Sequence, residues 1–224
     1  MDFATLMKTR WSCRGYRPDP VPEELLTRIL DTARRTGSWC NVQPWHVYLL
    51  RGEATGWLAR ELTEHVAAHP ATEDQTPDLP LPGEYAGVHL DRRRAAGYAL
   101  YQSLGIERSD YDARAAAMLD NYSFFGAPVA MVVTVARSQG AYAAADAGAF
   151  VANLMNAALD EGLGTIAQGA IGVYAGTVRK LLELPDEEAV LCGIALGYPD
   201  EDHPSNRFRT ERASLDEMVT EVRR

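Results

Sequence analysis

Cysteine is scarce in this chain. Cys13, Cys40 and Cys192 are the three cysteines in 224 residues, widely spaced and odd in number. No CxxC pair is present, so the sequence predicts neither a zinc ribbon nor a disulfide framework. Isolated thiols of this kind are typical of a reducing compartment, and we expect a cytoplasmic protein.

Long apolar runs and net positive charge are also lacking. The first residues, MDFATLMKTRWSCRGY, contain no apolar core of a signal peptide, and no run approaches the roughly 20 residues of a membrane span. We therefore expect no membrane partner. The formal net charge of −9 argues against a general affinity for nucleic acid, although a local basic pocket is compatible with it.

Several standard catalytic motifs are missing: GxxxxGK[ST], HExxH and GxSxG do not occur. The stretch from Gly162 to Ala167 matches a loose G-x-G-x-x-A dinucleotide pattern, but a predicted helix precedes it and a strand follows, the reverse of what that site requires. The glycines are better interpreted as a helix end. His65 and His69 form either a two-ligand metal pair or a solvated helix face; the second is favoured, and no metal is predicted.

Hydrophobic periodicity predicts helices and strands mixed within a single domain, residues 1–224. Helices are expected over 2–9, 21–35, 53–68, 85–104, 109–121, 143–161 and 174–183, and strands over 45–50, 128–136, 165–167 and 189–198. There is no regular strand–helix–strand alternation, so we expect an α+β fold with helices around a mostly antiparallel sheet. The helix over 143–161 is apolar nearly all round, which is typical of a core or subunit-interface helix.

Four clusters of arginine and small polar residues lie beside predicted loops. Each cluster alone is explained by solvated arginines, caps or turns. The clusters are Arg10, Ser12 and Arg14 in RWSCR; Ser38, Asn41 and Gln43 in GSWCNVQPW; Gln168 and Gly169 in IAQGAIG; and Arg207 and Arg209 in NRFR.

In combination these clusters resemble the nitroreductase family of FMN-dependent flavoenzymes. RWSCR is similar to the family's R-x-S-x-R start, and GSWCNVQPW to its P-S-x-x-N-x-Q-P-W loop. GLGTIAQGAIG and LCGIALGYPD followed by NRFRTER add support, and the resemblance covers nearly the whole chain. Gly37 departs from it, since the family often has proline there. Cys40 is a further departure, interpreted as a packed thiol rather than a redox group.

The resemblance implies an intertwined homodimer with two FMN molecules at the subunit interface. GSWCNVQPW would reach the flavin of the partner subunit, with Ser38, Asn41 and Gln43 as hydrogen-bond partners for cofactor atoms. Arg10, Arg207 and Arg209 would bind the FMN phosphate, with the Ser12 hydroxyl as a further donor and Trp11 within the same motif.

The remaining implied roles concern the flavin ring. Arg14 would lie near flavin N1 and O2, and the backbone of Gln168 or Gly169 would face N5. The family has no obligatory side-chain acid, so no catalytic proton donor is predicted. A mid-chain flavin contact is left open: Arg92, Arg93 and Arg94 are candidates, and a solvated face explains them equally well.

The implied activity is reduction of a small electron-poor molecule, such as a nitroaromatic compound, with NADH or NADPH as electron donor. Hydride would pass through N5 in a ping-pong reaction. Residues 70–121, including a loop with four prolines between Pro70 and Gly83, would cover the flavin and substrate. Tyr85 and Phe124 are candidates for stacking on substrate, although Phe124 is better interpreted as a core residue. Two alternatives stay open, a biosynthetic flavin-dependent oxidase or dehydrogenase using O2, and a non-catalytic flavin-binding dimer.

Overall fold

The computed structural model describes residues 1–69 and 75–223. Its longer helices coincide with the predicted ones to within a few residues. The helices are α1 (Phe3–Thr9), α2 (Glu23–Ala33), α3 (Glu53–Ala68), α4 (Gly87–Ser103), α5 (Tyr111–Leu119), α6 (Gly140–Asp160), α7 (Gly169–Val173), α8 (Ala175–Leu182) and α9 (Leu215–Met218). The strands are β1 (Trp45–Arg51), β2 (Val129–Ala136), β3 (Gly164–Gln168) and β4 (Glu188–Gly197).

The four strands form one sheet in the order β1-β2-β4-β3, and every neighbouring pair is antiparallel. The α+β fold with an antiparallel sheet is therefore confirmed. None of the helices in the described part of the chain is both long and apolar enough to cross a membrane.

Helices cover both faces of the sheet. Successive side chains of β2 point to opposite faces, so each face contributes to a separate core. Ala130 and Val132 pack into a core with residues of α3, α7 and α8. Val129, Met131 and Val133 pack into a second core with residues of α2 and α6. A strand buried on both faces reads as a continuous apolar run, which is why PVAMVVTVA was recognisable in the sequence.

Helix α6 buries one face and exposes the other. Phe150, Leu154 and Ala158 point into the core, whereas Ala145, Gly148 and Ala152 lie on the solvent side of the single chain. The helix ends before Gly162, whose φ of +81° continues the chain towards β3. This confirms the interpretation of the glycine pattern as a helix end.

Two short helices were not predicted. Helix α7 begins at Gly169 and contains Gly172, and glycine lowers helix propensity. Helix α9 lies in the polar tail, where Ser214 and Glu217 form a capping box that the sequence pattern S-x-x-E could have signalled.

The proline-rich loop lies partly outside the described residues, which resume at Gln75. From there the chain is tied to the body of the domain. The Thr76 N–H donates to the Val173 carbonyl at 3.1 Å, and a carboxylate oxygen of Asp78 accepts the Val190 N–H at 2.8 Å. Residues 76–78 are therefore docked against α7 and the start of β4.

Candidate functional site

A cavity of about 510 Å³ opens between the end of α1, the middle of α4 and the C-terminal tail. Its lining includes Trp11, Ser12 and five basic side chains: Lys8, Arg10, Arg14, Arg209 and Arg212. Among the residues that the structure describes, no Asp or Glu lines it. We call it the cationic cavity. Two of the predicted clusters, RWSCR and NRFR, thus meet although they lie about 195 residues apart in the sequence.

The RWSCR segment is held against the edge of the sheet. The Cys13 N–H donates to the Thr165 carbonyl at 3.0 Å, next to β3. The Tyr16 hydroxyl donates to the Cys13 carbonyl at 3.0 Å, and it lies 3.2 Å from the Ala195 carbonyl of β4. Gly164 permits this approach, since a Cβ there would lie 2.7 Å from the Cys13 sulfur. These contacts fix the backbone on either side of Arg14, whose side chain lines the cavity.

The tail is fixed to the same segment by Asn206, which is 6% exposed. Its Oδ1 accepts the Arg14 N–H at 2.8 Å, and its Nδ2 donates to the carbonyls of Gly15 and Asp200, each at 2.8 Å. Contact between the two chain segments is close, because a Cβ on Gly15 would lie 2.2 Å from Cγ of His203.

The cavity carries positive charge that its own residues do not neutralise. Burial lowers the pKa of Arg14, and burial together with the nearby charge of Arg212 lowers the pKa of Arg10. A lowered guanidinium pKa means that the charged form is disfavoured there, and a bound anion would stabilise it. The buried indole N–H of Trp11 also has no hydrogen-bond acceptor within the described chain. These features fit the phosphate dianion of the predicted cofactor.

The two arginines of NRFR differ in their surroundings. The Arg209 guanidinium lies over the Trp11 ring, and its Nη1 donates to the Asn206 carbonyl at 2.7 Å. Arg207 does not line the cationic cavity; it pairs with Asp202 at 3.2 Å, and its side chain is 64% exposed. The structure thus brings Arg10, Trp11, Ser12, Arg14 and Arg209 together and leaves Arg207 outside.

Gln168 and Gly169 lie where β3 passes into α7. The Gln168 side chain is buried; its Nε2 donates to the Asn121 carbonyl at 2.5 Å, while its Oε1 has no donor among the described residues. Gly169 is exposed and lines a second cavity of about 730 Å³, mostly apolar, between Leu79–Pro82 and the start of α6. We call this the apolar groove. Its lining and that of the cationic cavity share no residue.

No residue of the polar loop between α2 and β1 lines either cavity within one chain. Cys40, Asn41 and Gln43 have positive φ, from 48° to 58°, a conformation that costs about 1–2 kcal/mol for residues with a side chain. The Ser38 hydroxyl accepts the Gln43 N–H at 2.9 Å, which stabilises the turn. The Trp39 ring contacts that of Tyr142 at the start of α6, with centroids 4.7 Å apart and planes tilted by 51°, and both residues are 60% exposed.

The predicted substrate residues have different positions. Phe124 has no exposed surface and packs in the core with Ala130 and Ile171, so its assignment to substrate stacking was wrong and the core interpretation holds. Tyr85 is 43% exposed under the Arg93 guanidinium, outside both named cavities. Arg92 pairs with Glu217 at 3.2 Å.

Three residues of the site were missed from the sequence. Lys8 and Arg212 line the cationic cavity, and Asn206 connects its two walls. Lys8 lies two residues before the predicted cluster and Arg212 follows NRFR by three residues, so proximity to the motifs was an available signal. Asn206 is itself the first residue of NRFR, but its role could not be inferred from the sequence, because two of its partners lie 191 and 192 residues away.

His65 and His69 stack on each other with centroids 4.4 Å apart. One ring nitrogen of His65 is hydrogen-bonded to the Thr177 hydroxyl at 3.0 Å, and one of His69 to the His65 carbonyl at 2.8 Å. The described residues contain no group of three or more His, Cys, Asp or Glu side chains arranged to hold a metal ion. His65 lies partly buried against α8, so this helix face is packed rather than fully solvated.

Comparison with known proteins agrees with the family resemblance. The model of the nitroreductase family matches residues 7–198. A 4-nitrobenzoate reductase of Nocardioides sp. (strain LMS-CY) is 36% identical over 97% of this chain and 89% of its own length. Another, from Pseudomonas putida, is 31% identical over 94% and 91%. The crystal structure of the FMN-dependent nitroreductase NfnB from Mycobacterium smegmatis in complex with NADPH superposes with a TM-score of 0.91, at 33% identity over 99% of this chain and 100% of that one.

Proposed function

This chain belongs to the nitroreductase family, and we propose that it is an FMN-dependent NAD(P)H oxidoreductase that reduces nitroaromatic or similarly electron-poor compounds. The observation that carries the proposal is the cationic cavity, because the two arginine segments on which the resemblance rests build one site with no carboxylate among its described lining residues. A phosphate held by arginines is the simplest ligand for such a site.

The chain's own residues bind and orient the cofactor. Arg10 and Arg209 hold the phosphate, and Ser12 adds a hydroxyl donor. Arg14, whose backbone is fixed by Asn206, supplies a positive charge beside the pyrimidine end of the flavin ring. A cation there stabilises the negative charge of reduced flavin. Arg207 contributes less, since it already pairs with Asp202 at the surface.

The apolar groove beside Gly169 provides a place for flat aromatic rings. Gly169 is exposed to it, and space for a side chain is free around the position where a Cβ would lie. A ring system can therefore approach the backbone of residues 168–169 closely. The groove's volume of about 730 Å³ lies within the roughly 300–1,000 Å³ of small-molecule sites. A nitroaromatic substrate is flat and small enough to enter this groove.

We infer further that the enzyme is a homodimer. Ser38, Asn41 and Gln43 do not line the cationic cavity of their own chain. Trp39 of the same loop contacts Tyr142 at the start of α6, the helix that exposes small residues such as Ala145 and Gly148. Helices α4 and α5 contain no buried residue in the single chain and expose Tyr98, Tyr111 and Met118. A second copy covering these surfaces would bring the loop to the other subunit's flavin.

Bound FMN supplies hydride acceptance from the nicotinamide and hydride donation to the substrate. For a nitroarene the overall change is ArNO2 + 2 NADPH + 2 H⁺ → ArNHOH + 2 NADP⁺ + H2O. We favour the reductase over an oxidase or a flavin-storing dimer because the relatives above are named as reductases of nitro compounds. We place the enzyme in the cytoplasm, a location that suits its three free thiols.

Turnover of 4-nitrobenzoate tests the proposal. The purified protein is mixed with NADPH, or with NADH, under nitrogen, and hydroxylaminobenzoate is measured by chromatography, with benzoate as the control that lacks a nitro group. We expect two NADPH consumed for each hydroxylamine formed and no consumption with benzoate. If neither 4-nitrobenzoate nor nitrobenzene gives a product with either donor, the reductase assignment is contradicted.

A further inference from the structure

Asn206 occupies the junction of the two arginine segments. It is almost fully buried and satisfies all three of its hydrogen bonds with backbone groups at 2.8 Å, one on Arg14, one on Gly15 and one on Asp200. Both carbonyl partners accept from its amide nitrogen, and the Arg14 N–H donates to its amide oxygen. The side chain thus connects the segment that carries Arg14 to the segment that carries Arg209.

The hydrogen bonds of Asn206 hold together two segments whose positive charges repel each other. Arg10, Arg14, Arg209 and Arg212 face one cavity, and no carboxylate of the described chain lies in its lining to offset them. Like charges in a partly buried site disfavour each other. A neutral amide holds the segments together without adding an anion that would compete with a ligand for the guanidinium groups.

Asn206 does more than fill space between the two segments. Its contacts are directional hydrogen bonds to backbone atoms, whereas nearby contacts such as Gly15 against His203 are steric. Aspartate has the same shape but lacks the two N–H donors, and its carboxylate would face the carbonyls of Gly15 and Asp200. These three backbone partners, two acceptors and one donor, therefore require an amide side chain at position 206.

We propose that Asn206 is a positioning residue that sets the spacing between Arg14 and Arg209, so that one FMN molecule is bound at its flavin ring and at its phosphate at once. The proposal rests on the proposed function, in which Arg14 faces the flavin ring and Arg209 the phosphate. A ligand held at two points depends on the distance between those points far more than a ligand held at one. Riboflavin lacks the phosphate and uses the Arg14 end alone.

Binding of FMN and riboflavin to flavin-free protein tests this spacing role. Dissociation constants are measured by the quenching of flavin fluorescence for the wild type, for Asn206→Asp and for Asn206→Ala. Thr55→Val is the matched control, because it removes a buried hydroxyl whose bond to the Pro128 carbonyl, at 3.3 Å, lies outside both arginine segments.

We expect both Asn206 variants to raise the FMN dissociation constant by about tenfold or more while the riboflavin constant changes by less than about threefold. The control keeps both constants. Equal loss of affinity for both flavins, or no loss for either, would overturn the proposal, and so would variants that are insoluble, since the amide would then serve the fold. If the wild type binds no FMN, the proposed function fails instead.

Discussion

The Arg209 guanidinium lies over the indole ring of Trp11, with its central carbon 4.8 Å from the ring centroid. This stacking joins the tail to the residue between Arg10 and Ser12. It also orients the guanidinium plane, which fixes the direction of its donors. Arg207, two residues earlier, has no such support and pairs with an exposed aspartate.

The contrast predicts unequal effects of two matched substitutions. Arg209→Ala should raise the dissociation constant for FMN by about tenfold or more, since a charge-assisted hydrogen bond contributes roughly 1.5–3 kcal/mol. Arg207→Ala should change it by less than about threefold, because exposed ion pairs contribute little. Flavin absorbance retained after gel filtration measures both. Loss of FMN from the Arg207 variant alone would show that the assignment is reversed.

The loop that carries Ser38 and Asn41 is expected to bind the partner's cofactor. Ser38→Ala with Asn41→Gly should lower FMN affinity, while the melting temperature of the flavin-free protein falls only by the few degrees that loss of the Ser38 bond to the Gln43 N–H costs. Glycine is chosen at position 41 because φ is +58° there and alanine would add strain. Thr32→Ala, an exposed substitution on α2, serves as the control.

A mixed dimer decides whether the loop acts across the interface. One chain carries Arg209→Ala and the other carries Ser38→Ala with Asn41→Gly, each with its own affinity tag. If the loop serves the partner's site, one site of the mixed dimer contains both defects and the other is intact, so one FMN per dimer binds tightly. If the loop serves its own chain, each site carries one defect and neither binds tightly.

Asp78 stabilises the docked part of the proline-rich loop. Its side chain is 10% exposed, pairs with Arg137 and with Arg179, and accepts the Val190 N–H. Asp78→Asn leaves the largely buried Arg179 and the exposed Arg137 without this partner, and we expect a loss of about 3 kcal/mol in the free energy of unfolding. Urea denaturation measures it. Asp186→Asn is the control: that exposed carboxylate also pairs with Arg179, and its loss should leave the urea midpoint unchanged.

The three thiols should differ in reactivity. Burial raises the pKa of Cys13, and burial raises the pKa of Cys192 to about 12, so both remain protonated and unreactive at pH 8. Cys40 is exposed. A disulfide reagent should therefore titrate one thiol per folded flavin-free chain and three after denaturation. Cys40→Ser should remove the fast reaction; a fast reaction that persists in this variant would contradict the burial of the other two.

Much of the fold was predictable because its pattern is local. The apolar run of β2 and the periodic face of α2 report burial directly. Helix α7 was not, because Gly169 and Gly172 are poor helix formers and only packing against β4 stabilises a helix there. For Phe124 the sequence favoured the core without excluding substrate contact, because an aromatic residue before a strand occurs both in cores and in clefts.

The candidate site was predictable as a set of segments but not as an arrangement. Arg207 and Arg209 are equivalent in the sequence, and only the path of the tail over Trp11 separates them. Asn206 could not be distinguished from an ordinary turn residue, because its role depends on contacts made across almost the whole chain. Geometry of this kind comes from tertiary structure, which a single sequence does not display.

The visible absorption spectrum of the purified protein, recorded under nitrogen before and after NADPH and then NADH, tests the central claim most directly. We expect a yellow protein with one FMN per chain whose absorbance near 450 nm, the usual flavin band, is bleached by about one equivalent of a nicotinamide donor. A yellow protein that neither donor bleaches would contradict the reductase assignment and favour the oxidase or storage alternative. A colourless protein that FMN cannot restore would contradict the assignment of the cationic cavity itself.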